Sequence, residues 1–311
     1  MNSIELCFIW NAPQRVDILI STLFSDFSRS YIAKCIERWE IQVNWVIPKK
    51  NTLLKHGDIL RFSRQSYSVD IRPESLPLDI IYEDENLIVL NKDAGINVHP
   101  VPWVDGKTGT LVNALLQHTK GNLPIISWEE RPGIVHRLDK DTSWALLVAK
   151  NDQMMHYLSE IIQKRHIKKY YLAVTVWIPT NRSITITSHI GRDRYDRTKM
   201  TIRNPLNPKE AITHAELIWE YEGKYGLLKI DLETGRTHQI RAHLASIGYP
   251  ILWDSVYWDM PENTLACKTY WVDRQMLHAY QLDFNVYNKN ILFCADLKQD
   301  MLSFFEWVKL V

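Results

Sequence analysis

The sequence reads as an α+β protein in two parts, and three observations point there. Short apolar runs rich in β-branched residues alternate with stretches whose apolar residues recur at helical spacing. Residues 13–72 hold ten Lys or Arg against six Asp or Glu, whereas the whole 311-residue chain carries a net charge of only +1. Residues 73–78, with two prolines and few large apolar side chains, then read as a linker. The predicted division is a small domain over 13–72, the linker at 73–78 and a main domain over 79–311. With 46% hydrophobic residues the chain has ample material for a packed core.

In the small part a helix runs through Tyr31, Ile32, Cys35 and Ile36, with Ser28 placed to cap it. Arg29, Lys34 and Arg38 lie around its solvent side. Residues 41–43 and 46–47 read as short strands, and residues 53–62 as a segment turning at Gly57-Asp58. In the main part strands are predicted at 80–81, 87–90, 145–149, 171–176, 184–186 and 227–232, and helices at 111–117, 154–163 and 238–246. There is no internal repeat and no low-complexity tract.

Composition excludes several classes. The four cysteines, Cys7, Cys35, Cys267 and Cys294, are scattered without metal-ligand or redox spacing, which predicts a reduced, cytoplasmic protein with no metal site. The N-terminus lacks a basic start followed by an apolar run, so no signal peptide is expected. No apolar stretch approaches the ~20 residues of a membrane span. A net charge near zero means that any nucleic-acid affinity must come from a local patch.

One segment stands out chemically: Arg131-Pro-Gly-Ile-Val-His-Arg-Leu-Asp-Lys-Asp-Thr-Ser143. It sets Asp139 behind a His-Arg pair and ahead of a turn, followed by the buried run at 145–149. A carboxylate on a loop feeding a buried strand is held rigidly. The flanking positive charge suits a nucleophile or base, and equally a site that must accept a phosphodiester backbone. A salt-bridged surface turn would read the same way in isolation.

The rest of the chain argues against that bland reading. The segment 131–150 resembles the signature of the RluA-type family of RNA pseudouridine synthases, and other pieces follow in the family's order. They are Ile88-Val-Leu-Asn-Lys-Asp-Ala-Gly-Ile-Asn-Val-His-Pro100, Thr110-Leu-Val-Asn-Ala-Leu-Leu116, Lys169-Tyr-Tyr-Leu-Ala-Val174, Leu232-Glu-Thr-Gly-Arg-Thr-His-Gln-Ile-Arg-Ala-His-Leu244 and Leu277-His-Ala279. Together they span roughly residues 75–285. The resemblance implies an α+β catalytic domain with a mixed, largely antiparallel sheet. It also implies a small N-terminal α/β domain like the RNA-binding domain of ribosomal protein S4.

The implied activity breaks the uridine glycosidic bond, turns the uracil over and rejoins it through carbon 5. No cofactor is called for, which fits the absence of a phosphate-binding glycine loop. The resemblance makes Asp139 the catalytic carboxylate, attacking the ribose or abstracting a sugar proton, with Tyr171 against the uracil and Arg236 paired to Asp139. A target uridine must leave its stack. Arg137 would fill the vacated space or hold the backbone, and His136 would orient the loop beside the RNA. Arg241 and His243 would contact phosphate or solvate one helix face. RNA is the implied partner, ribosomal RNA ahead of transfer RNA, with no membrane and no obligate protein partner.

The tryptophans are anomalous. Trp144, Trp253 and Trp258 stand where the family's motifs carry glycine, Trp45 follows Asn44 where Asn-Gly would form a tight hairpin, and Trp39, Trp128 and Trp177 look similar. Such turns need positive φ, which glycine allows and tryptophan resists. Average usage of ~7% predicts ~22 glycines, and the chain has 11, against 12 Trp. A UGA codon that the source reads as glycine would produce this pattern. Genuine divergence, leaving an impaired relative that still binds RNA, is the alternative. Two other classes were weighed. A non-catalytic RNA-binding factor shares the basic N-terminal domain, and loss of activity in Asp139→Ala would separate the two. A protein kinase is excluded, because Leu138 intervenes between His-Arg and Asp and the other kinase motifs are missing.

Overall fold

The computed structural model describes residues 2–9, 12–23, 29–37, 39–64, 71–100, 108–125, 131–196, 198–258, 274–286 and 289–310. At the N-terminal end, β1 (Asn2–Cys7), β5 (Ile59–Arg64) and β3 (Ile41–Val43) form an antiparallel sheet in the order β1-β5-β3. Helix α1 (Val16–Leu23) buries Val16, Leu19 and Ile20, an i, i+3, i+4 stripe. Helix α2 (Arg29–Glu37) buries Ile32, Cys35 and Ile36 at the same spacing. Both stripes meet Ile41, Leu60 and Phe62 in a core whose described buried residues run from Phe8 to Phe62. The sheet also takes in residues 2–7, ahead of the expected start at 13. Segment 46–47 makes a single bridge, Val43 to Val46, rather than a strand. Ser28 and Arg38 lie outside the described residues.

In the main part, β7 (Leu87–Leu90) lies between β6 (Ile80–Glu83) and β9 (Leu146–Ala149). Every residue of β7 and β9 is buried. The side-chain period of two explains why. Ile88, Leu90, Leu146 and Val148 face α3 (Leu111–His118), while Leu87, Val89, Leu147 and Ala149 join the large core with Met154 and Leu158 of α4 (Asp152–Gln163).

The larger sheet runs β12 (Met200–Thr201), β11 (Ser183–Arg192), β13 (Leu206–Tyr221), β14 (Tyr225–Leu232), β10 (Lys168–Val176), β15 (Leu277–Val286) and β16 (Lys289–Cys294). These pair antiparallel, and β8 (Ser143–Trp144) adds in parallel against β15. The sheet is therefore mixed and largely antiparallel, as expected. Helices α5 (Gln239–Ser246) and α6 (Gln299–Trp307) complete the domain. The sixteen-residue β13 was not foreseen, because its first five residues are exposed and show no apolar alternation.

Five of the eight described tryptophans, Trp39, Trp45, Trp144, Trp177 and Trp253, have φ between 60° and 85°. Only a few per cent of non-glycine residues adopt positive φ. Trp39 occupies the position after α2 where the chain closes on itself, with Trp39 N donating to Ile36 O at 3.0 Å and Glu40 N to Cys35 O at 2.9 Å. That is the Schellman pattern, in which glycine is the usual residue. Asn44 and Trp45, at φ 49° and 65°, form a two-residue hairpin closed by reciprocal bonds between Val43 and Val46. Both central residues at positive φ define the type I′ turn, the Asn-Gly turn of hairpins. Trp258 has no positive φ, and Trp128 lies outside the described residues.

Candidate active site

The loop carrying Asp139 is anchored at both ends. At its start, Gly133 has φ 71° and accepts a backbone bond from the end of β9, Ala149 N donating to Gly133 O at 2.9 Å. A Cβ there would stand 2.7 Å from Ala149 O, so the approach requires glycine. His136 Nε2 accepts from Leu147 N at 3.0 Å. Burial, helped by nearby Lys169, pushes that imidazole down to about 3, so it is the neutral acceptor this bond needs. His136 thus fastens the loop to β9. At the far end, Lys92 Nζ donates to the carbonyls of Lys140 at 2.8 Å and Thr142 at 3.0 Å.

Asp139 meets helix α5 from across the sheet. Arg241 Nη1 donates to Asp139 Oδ2 at 3.1 Å, and His238 Nε2 lies 3.8 Å from the same oxygen. His238 caps α5 with φ 51°, and the i, i+3 spacing turns both side chains to one side of the helix. Arg241 is itself clamped by Asp254, through Nε to Oδ2 at 2.7 Å and Nη2 to Oδ1 at 2.8 Å. Asp254 is fully buried and the Arg241 side chain is 5% exposed. Burial opposes the guanidinium charge, but Asp254 and then Asp139 outweigh it and hold Arg241 above the usual arginine range. The ring of Tyr257 lies under the guanidinium, 5.3 Å from its centroid.

This corrects two expectations. Arg236 does not pair with Asp139: its Nε donates to Glu210 O at 3.0 Å, and Arg241 takes the predicted role. Arg241 is not a surface phosphate contact, because it is buried between two carboxylates. His243 does not solvate a helix face either. It is fully buried, with Ser188 Oγ at 2.9 Å and Thr213 Oγ1 at 2.9 Å.

Asp139, Tyr171, Arg137, His136 and Arg236 do come together, on the wall of one cavity of about 650 Å³ that also includes Arg131, Arg165 and Lys169. Tyr171 projects from β10 and is 8% exposed. Burial, reinforced by Asp139, raises its hydroxyl well above the usual tyrosine range, so the phenol stays protonated. Burial lowers the Lys169 ammonium to about 8. Arg137 is exposed beside Asp139. Arg29 and Lys34 lie on α2, apart from this cavity in the chain's other sheet unit. His238, Asp254 and Tyr257 were missed as site residues, although His238 sits inside the 232–244 motif and Asp254 and Tyr257 adjoin the anomalous Trp253 and Trp258. Among the described residues no group of three or more His, Cys, Asp or Glu side chains is arranged to hold a metal. No described helix is long and apolar enough to cross a membrane.

A buried Asp–Arg–Asp relay presented to a basic cavity at the seam of two sheets is a distinctive arrangement. The family model for RNA pseudouridylate synthase matches residues 86–246, which contain Asp139, Tyr171 and Arg241. The chain belongs to that family. An uncharacterized RNA pseudouridine synthase of Aquifex aeolicus is 36% identical over 95% of this chain and 94% of its own length. The ribosomal large subunit pseudouridine synthase D of Borreliella burgdorferi is 37% identical over 88% of this chain and 82% of its own. The fold is shared with human RNA pseudouridylate synthase domain containing 4, with a TM-score of 0.59 and 24% identity over 74% of this chain and 93% of that one. Membership of the pseudouridine synthase family makes the chain an RNA-modifying isomerase.

Proposed function

We propose that this pseudouridine synthase acts on uridine in large-subunit ribosomal RNA, with Asp139 as the catalytic carboxylate. The observation that carries the assignment is Asp139 itself, held through Oδ2 by Arg241 at the wall of a basic cavity. The Arg241 hydrogen bond and the close approach of His238 both fall on Oδ2, so Oδ1 is the oxygen that meets the ribose. It either adds to the anomeric carbon or removes the neighbouring sugar proton, and in both cases the bond from nitrogen 1 breaks. The uracil turns over and carbon 5 bonds to the ribose. Carbon 5 gives up its proton and nitrogen 1 gains one, so the reaction needs no oxidant, reductant or group carrier. Tyr171, kept as the phenol, packs on the uracil and donates rather than acting as the base. That leaves Asp139, once released from the sugar, to take the carbon-5 proton.

Arg137 is exposed beside Asp139 and suits the gap left by a flipped base. Arg236 and Lys169 suit the anionic RNA entering the cavity. The N-terminal unit, with a net +4 over 13–72, is read as a second RNA-binding module in the manner of ribosomal protein S4, with Arg29, Lys34 and Arg38 as contacts. A cytoplasmic setting fits four cysteines scattered without metal-ligand or redox spacing. Ribosomal RNA is favoured because several relatives at 34–37% identity are named as large-subunit enzymes. The test is to incubate unmodified large-subunit ribosomal RNA and transfer RNA with the protein and map pseudouridine by its carbodiimide adducts. A discrete site in ribosomal RNA supports the reading, and modification confined to transfer RNA overturns its substrate half.

A further inference from the structure

Strands β11 and β13 extend beyond the body of the sheet as an arm whose distal segment, residues 192–209, has an unusual composition. It holds six Lys or Arg against two Asp, a net +4 in a chain whose total is +1. Both acids are engaged in shaping the turn. Asp193 Oδ1 accepts from Tyr195 N at 2.8 Å and Asp196 N at 3.0 Å, while Asp196 accepts from Thr198 N at 2.9 Å and lies 3.8 Å from Lys199. Arg194 and Arg203 remain exposed. On the turn itself Tyr195 is 96% exposed, which is extreme for a large aromatic ring.

The root of the arm is tied to the catalytic carboxylate. Met200 N donates to Tyr257 Oη at 2.9 Å, and the Tyr257 hydroxyl lies 3.1 Å from Met200 O and 3.2 Å from His238 Nδ1. His238 Nε2 faces Asp139, and Tyr257 underlies Arg241. The Tyr257 hydroxyl thus donates to Met200 O and accepts from Met200 N while also sharing a hydrogen bond with His238 Nδ1, whose direction follows the imidazole tautomer. A shift of Met200 therefore changes the bond His238 makes on the side away from Asp139.

We propose that the 192–209 arm is an RNA-docking element, with Tyr195 stacking on an unpaired base and Arg194 and Arg203 on flanking phosphates, and that Tyr257 and His238 couple its seating to Asp139. This rests on the RNA reading above. An exposed ring among cations is the arrangement single-stranded nucleic acid recognises, because every base offers a π face and every linkage a charge.

The experiment measures turnover and salt-dependent binding on unmodified large-subunit ribosomal RNA. Tyr195→Ala is expected to raise KM roughly tenfold or more with kcat retained, and Tyr195→Phe to restore it. Arg194→Ala with Arg203→Ala should flatten the log–log salt slope by about one per lost phosphate contact. Tyr257→Phe should lower kcat while leaving the effect of Tyr195→Ala on KM in place. Unchanged KM and salt slope in an active protein overturn the docking role, and unchanged kcat in Tyr257→Phe overturns the coupling. An inactive parent protein would instead count against the substrate assignment.

The backbone carries a second, independent inference. We infer that Trp39, Trp45, Trp144, Trp177 and Trp253 occupy glycine positions of the natural protein, their codons being UGA read as glycine. All five have φ in the left-handed region, two of them in the Schellman and type I′ geometries that select glycine. Trp144 is also fully buried, with its indole Nε1 meeting no acceptor among the described residues. Trp253 directly precedes Asp254, so its backbone conformation aims the carboxylate that clamps Arg241. The test reads the codons at these positions and the peptide masses of the protein purified from its source. UGA with glycine supports the inference, and UGG or tryptophan in the peptides overturns it.

Discussion

Replacing Arg241 by Lys tests the active-site geometry directly. Arg241 makes three charged hydrogen bonds, two to Asp254 and one to Asp139, from a side chain that is 5% exposed. Each such bond contributes ~1.5–3 kcal/mol. A lysine ammonium keeps the positive charge, so Asp254 retains a counter-ion, but it lacks the planar fork and cannot reproduce all three bonds. Losing one of them gives ~1.5–3 kcal/mol. That is less than the ~3–5 kcal/mol that follows when a buried pair loses one partner outright, as in Arg241→Met. If the bond lost is the one to Asp139, and it is retained through the transition state, turnover falls about 10- to 150-fold at 1.36 kcal/mol per decade. The assay is single-turnover pseudouridine formation, with urea denaturation followed by near-ultraviolet circular dichroism to report stability. Arg236→Lys is the control. It keeps the cation that faces the RNA and disturbs the bond to Glu210 O, so its expected effect is much smaller. Near-normal turnover in Arg241→Lys together with a crippled Arg236→Lys would refute the reasoning, because Arg236 would then be the guanidinium that serves Asp139.

Other outcomes follow from the same geometry. Tyr171→Phe keeps the stacked ring and removes the phenol, so RNA binding should persist while single-turnover rate falls by about 10²-fold, the range of a lost proton donor; an unchanged rate would make Tyr171 a packing residue only. Burial lowers His99, His243 and His278 to about 4 from an ordinary 6.5, so the unfolded chain binds more protons than the folded one between those values. The contribution of these three histidines should therefore be complete above pH 6.5 and be lost as pH drops toward 4, and an acid titration flat across that window would contradict it. Trp39 is 73% exposed, so Trp39→Gly opens no cavity. It should stabilise relative to Trp39→Ala by about 1 kcal/mol, the left-handed cost that alanine retains, as read from hydrogen exchange of α2.

The fold was legible wherever apolar periodicity was strong. The buried runs of β7 and β9 and the stripe of α2 could be placed to within a residue or two, because burial on both faces or one face leaves a pattern in the residues themselves. The arm was not legible. Residues 206–210 are exposed and include Pro208, so neither alternation nor propensity marks a strand, and only pairing with β11 makes one. At the candidate site, motif order singled out Asp139 and Tyr171, and the structure puts both on the wall of one cavity. The guanidinium was misplaced, because a motif with both Arg236 and Arg241 gives no rule for choosing between them. What decides is the helical phase set by His238 at the start of α5, which turns Arg241 toward Asp139 and leaves Arg236 in the preceding loop. Asp254, next to Trp253, was not legible because its partner Arg241 lies 13 residues away, a separation that no helical or strand period marks. The backbone conformation of that tryptophan then supplied the physical reason for the anomaly seen in the composition.

The most direct measurement is tritium release from ribosomal RNA labelled at carbon 5 of uracil, comparing the protein with Asp139→Asn. Both are tested in the chain as given and with glycine at the five left-handed tryptophans. Asparagine fills the same space without nucleophilic or basic character, so RNA binding should survive it. Catalysis by Asp139 predicts release in the parent, strongest in the glycine-bearing form, and none above background in either Asp139→Asn version. Undiminished release from Asp139→Asn would contradict the assignment of this carboxylate as the catalytic group.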